Sequence, residues 1–66
     1  MKVYTLIIIE MGIIDVVKTF KTKKSAYECI RAEGYGEEVV EAIKDNGVWT
    51  GYTSEINLVA NRMTEK

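Results

Sequence analysis

The sequence predicts an α+β domain with a small antiparallel sheet, and three observations carry that expectation. A β-branched run over residues 2–10 turns near Gly12 into a second such run. Two helical stripes follow, one closed by Gly34 and one by Asn46-Gly47. A third extended run, Val48–Thr53, comes after them. The expected arrangement is a β-hairpin plus a third strand, with two or three helices on one face, in the order ββααβα. The alternative order is ββαβββ. Sixty-six residues form one domain over 1–66, because a chain this short supports only one core.

Residues 2–10 are apolar on both faces: Tyr4, Leu6 and Ile8 on one, Val3, Ile7 and Ile9 on the other. Such a strand is central in a sheet or covered by a partner. Glu10-Met11-Gly12 is read as a type I turn with a glycine bulge, and residues 13–20 as the returning strand. Thr22, or Ser25 with Glu28 three residues on, can cap the first helix. Ala26, Tyr27, Cys29 and Ile30 then share one side. Over residues 37–46, Val39, Val40, Ala42 and Ile43 fill one arc, with Glu37 and Glu38 at the dipole's positive end and Lys44 at its negative end. A strand there fails on alternation, since Val39 and Val40 would face opposite ways. Trp49 and Tyr52 fall on opposite faces of the Val48–Thr53 run. In residues 55–63, Ile56, Val59, Ala60 and Met63 form a helical stripe, while Ile56, Leu58 and Ala60 also alternate as in a strand. Leu58 spoils the helix and Val59 the strand; a helix capped by Thr53 or Ser54 is the expectation.

Most catalytic chemistries have no residues here. The chain has no histidine and one cysteine. Ser-His-Asp and Cys-His systems are therefore excluded, as is an intrachain disulfide. A zinc or copper centre would have to be built from carboxylates and one thiol, a poor donor set. Gly34-Tyr35-Gly36 lacks the lysine of a phosphate loop and is helix punctuation. The reading is a non-enzyme without cofactor or metal. Nothing resembles a signal peptide, and the longest apolar stretch, Leu6–Ile9, is far short of the roughly 20 residues a membrane helix needs. A chain starting at Met1 reads as a complete small gene product, and a lone thiol suits a reducing, cytoplasmic compartment.

Charge is unevenly placed. The net charge is −1, with residues 1–24 at +3 and residues 25–46 at −4. Two surfaces follow. The aromatics Tyr35, Trp49 and Tyr52, with the acids Glu37, Glu38 and Glu41, are the candidate protein-binding residues, since Tyr and Trp are common interface anchors. The acidic helix would then imitate nucleic acid toward a basic groove. Lys18, Lys21, Lys23 and Lys24 form a candidate basic patch for nucleic acid, with Tyr4, Trp49 and Tyr52 as stacking faces. The acidic balance counts against it. Self-association is expected as well, because a doubly apolar strand left open is an aggregation hazard.

The hairpin Val3–Phe20, the helix opening Thr22-Lys23-Lys24-Ser25-Ala26-Tyr27 and the segment Asn46-Gly47-Val48-Trp49-Thr50-Gly51-Tyr52 together resemble small bacteriophage accessory proteins of the anti-CRISPR or phage antitoxin type. The helix expected over 37–46 departs from the anti-CRISPR members, which have a strand there. The resemblance implies a non-catalytic inhibitor, acting in the bacterial cytoplasm, that binds a host or defence protein or complex. A nucleic-acid or ribonucleoprotein-binding module and a homodimeric structural protein are the alternatives.

Overall fold

The computed structural model describes residues 2–62. Its elements are β1 (Lys2–Glu10), β2 (Ile13–Phe20), α1 (Lys23–Ala32), α2 (Glu37–Asn46), β3 (Val48–Thr50) and β4 (Ser54–Arg62). The α+β class and the antiparallel sheet are as expected, with the helices packed on one face. The sheet has four strands in the order β2-β1-β4-β3, with every pairing antiparallel.

The expected helix over 55–63 is instead β4, apart from Met63, which lies outside the described residues. Sequence periodicity alone does not see the reason. The doubly apolar β1 needs a strand on each side, and β4 pairs with it from Lys2↔Arg62 to Glu10↔Ser54. In that register Leu58, which spoils the helical stripe, lies opposite Leu6 on the helix side. Val59, which spoils the strand alternation, falls opposite Thr5 on the other side. The third strand also stops at Thr50, so Tyr52 sits in a turn rather than on a sheet face.

The first turn differs too. Met11 and Gly12 both take positive φ, 53° and 79°, the type I′ geometry that suits the twist of a two-residue hairpin. The bulge lies further along: between Ile8↔Val16 and Ile9↔Ile14 the register skips Asp15.

Thr22 is the α1 cap, its hydroxyl oxygen accepting from the Ser25 amide at 3.2 Å. Gly34 takes a positive φ one residue past the C-cap, Glu33. The second helix forms as read from its apolar arc. The core is one cluster: Leu6 and Ile8 of β1, Ile56 of β4, Ile30 of α1, and Val39, Val40 and Ile43 of α2. These are short, largely β-branched side chains closed on one another between two layers. Among the described residues, no element packs on the opposite sheet face.

Candidate interaction surfaces at the two ends of the sheet

The antiparallel registers place unlike chemistry at the two ends of the sheet. At one end lie the start of β1 and the ends of β2 and β4, with Lys2 opposite Arg62. The chain then runs through Lys21 into Lys23 and Lys24, the first residues of α1. Lys18 lies further back on β2, opposite Leu6. All four predicted lysines are exposed. Two of them stand in the first helical turn, where the helix dipole disfavours cations.

The predicted aromatics do not gather here. The Lys23 Nζ sits 5.8 Å from the Tyr4 ring centroid. Trp49 is half-buried against the core, its ring 5.9 Å from that of Tyr35 at an interplanar angle of 67°. Such edge-to-face contact is the preferred packing of aromatic pairs. A Cβ at Gly51 would collide with the Trp49 ring, so that glycine lets the indole fold back over the β3–β4 turn. The sheet therefore offers no row of free rings for stacking bases.

The other end is built from the two hairpin turns. The Met11 amide donates to the Thr53 carbonyl at 2.7 Å, which ties Met11-Gly12 to the Gly51–Thr53 turn. Between them is an open depression of about 430 Å³, lined by Ile9, Met11, Gly12 and residues 50–55. Tyr52 is fully exposed at its rim and Met11 is 77% exposed. Ile13 and Ile14 continue the apolar surface into β2, also exposed.

Tyr35 is part of the scaffold. Its hydroxyl donates to the Glu10 carboxylate, pinning the link between the helices to the end of β1. Hydrogen bonds from Tyr35 and then Ser54 hold Glu10 below the ordinary carboxylate range. Burial, and then the bond to Glu10, raise Tyr35 above the ordinary phenol range.

The acidic residues are partly spoken for. Arg31 grips Glu37 through two N–H···O bonds of 2.6 and 3.1 Å, which lowers the Glu37 pKa. The Lys44 Nζ lies 3.6 Å from Glu41. Glu38 is exposed. Of the six predicted protein-binding residues, only Tyr52 and Glu38 are thus exposed and, among the described residues, without an ion-pair or hydrogen-bond partner; Tyr35 and Trp49 pack on each other. Sequence reading missed Met11, because a type I turn would have placed it in ordinary backbone. The detectable signal was a methionine before Gly12, where a two-residue hairpin favours Asn or Asp.

Among the described residues, no group of three or more Cys, Asp or Glu side chains is placed to hold a metal ion, and no helix is long and apolar enough to cross a membrane. No protein-family model, curated protein or solved structure matches the chain.

Proposed function

We propose that this chain is a non-enzymatic binding protein that occupies a surface of a protein partner through the joined hairpin turns, with Met11 and Tyr52 as its anchors. The observation that carries the reading is the state of Met11. A large apolar side chain sits in the left-handed region at φ 53° and is left exposed. That conformation costs a non-glycine residue about 1–2 kcal/mol, and the exposed thioether is unfavourable in water. Strain of this kind collects at functional positions. Methionine beside a free tyrosine supplies an adaptable and a rigid contact together. The phage-protein resemblance supports a bacterial host or defence protein as the partner and inhibition as the outcome.

Capture from bacterial lysate, with and without nuclease, tests this. The wild type is expected to retain one protein after nuclease treatment, and Tyr52→Ser to lose at least about 90% of it, as for a hot-spot residue. Equal capture by both proteins would overturn the reading.

One observation favours nucleic acid as a second reading: the exposed lysines placed against the dipole of α1. In that case captured partners disappear with nuclease, binding falls steeply with salt, and Lys23→Ala with Lys24→Ala weakens it while Tyr52→Ser does not.

A further inference from the structure

The open face of the sheet, away from both helices, carries Ile7, Ile9, Ile14, Val17, Val48 and Val59. Val17 is 57% exposed, Ile14 62% and Val59 44%. Threonines and asparagines fill most of the remaining register positions, and Glu55 is the single charged side chain among them. In a chain that is 29% charged, this face is depleted. Antiparallel sheets that face water alternate apolar-in with polar-out, and this one does not.

The two sheet edges are treated differently. β2 carries a bulge that skips Asp15 and has Lys18 near its middle; β3 has three residues. Charge, bulges and short length are the usual devices that stop edge-to-edge pairing. The edges are guarded and the face is not.

From this contrast we infer that a second copy of the chain covers the open face, stacked sheet on sheet about a two-fold axis lying in the interface and running across the strands. Self-pairing fits this face because it brings almost no charge to repel its own image. The axis direction follows from Glu55, the one charge on this face: an axis across the strands sets the two Glu55 residues at opposite extremes. At ~3.3 Å per residue and ~4.8 Å between strands, the face projects roughly 450 Å². Two such faces with their side-chain relief bury roughly 1,000–1,200 Å² in total, at the lower bound for a specific interface. The dimer is therefore reversible at ordinary concentrations. Met11 and Tyr52 lie in turns beyond the stacked strands, while Ile9 and Glu55 belong both to the open face and to the depression between the turns.

Sedimentation equilibrium up to about 1 mM protein, a range that detects even weak pairing, tests the proposal. The mass is expected to rise from 7.5 kDa to twice that value. Val17→Lys and Val59→Lys place cations at positions already exposed in the monomer. Each is expected to keep its circular dichroism and weaken pairing at least about tenfold, whereas Tyr52→Ser leaves the mass unchanged. A soluble paramagnetic probe gives an independent readout that needs no variant: Ile7, Val17 and Val59 methyl groups should be shielded at high concentration and exposed on dilution. A mass of 7.5 kDa throughout, pairing unaffected by both lysines, or a dimer whose methyl groups stay exposed would each overturn the proposal.

Discussion

Met11 shows how one residue can set stability against function. Its amide fastens two turns together, and its backbone holds a positive φ that asparagine tolerates far better. Met11→Asn keeps the amide, relieves the strain and removes an exposed apolar side chain. It is expected to stabilise the monomer by about 0.5–1 kcal/mol, read as a higher urea midpoint at an unchanged slope. The same change should weaken capture of the partner. If Met11→Asn is instead less stable, the strain argument fails at its source. At this scale the sequence was partly legible. Thr22 was readable as a cap because capping is a local bond between near neighbours. The Tyr35–Glu10 bond joins residues 25 apart, and no local pattern reports it.

At the scale of elements, that bond decides how the helix layer is held to the sheet, and it titrates at both partners. Glu10 has a lowered pKa in the folded chain, so its contribution is present above the unfolded carboxylate value of about 4.3 and fades as pH falls through the folded value. Tyr35 has a raised pKa, so its contribution is complete below about 10 and fades as pH rises through the folded value. Tyr35→Phe removes the phenol's titration and the larger of the two hydrogen bonds that lower Glu10, leaving that from Ser54. The stability gap between wild type and Tyr35→Phe is therefore expected to be level near neutrality and to narrow in acid and in alkali, as measured by urea unfolding across pH. A gap constant from pH 3 to 11 would show that the lost hydroxyl acts only through packing.

The same distinction between local and distant causes explains which elements could be read in advance. The first hairpin and both helices formed where their turn residues and apolar stripes placed them. β4 did not, because Ser54–Arg62 satisfies two patterns equally well. The choice belongs to β1, nearly fifty positions earlier, whose second edge would otherwise have unpaired amides and carbonyls. Burial selected the strand by seating Ile56 fully out of solvent beside Ile8.

For the whole molecule, β1 is the dividing plane. Its sequence shows apolar residues on both sides but does not show which side the helices take. The structure assigns Leu6 and Ile8 to the helix layer, with Ile8 only 1% exposed, while Ile7 is half-buried on the open face. Adjacent isoleucines should therefore respond differently to the same charge. Ile8→Lys puts an ammonium among Ile56, Val40 and their neighbours with no carboxylate in the cluster. An unpaired buried charge costs several kcal/mol, against a total of about 3–5 kcal/mol for a domain this small. Ile8→Lys is expected to be largely unfolded by circular dichroism at room temperature. At Ile7 a lysine can lay its stem along the sheet and raise its ammonium into water. Ile7→Lys should stay folded, within about 1 kcal/mol of wild type, and lose the concentration-dependent rise in mass. If both variants fold, the helix layer is not the chain's principal core. If both unfold, the open face contributes to the fold of the single chain, and its apolar residues are explained without a second copy.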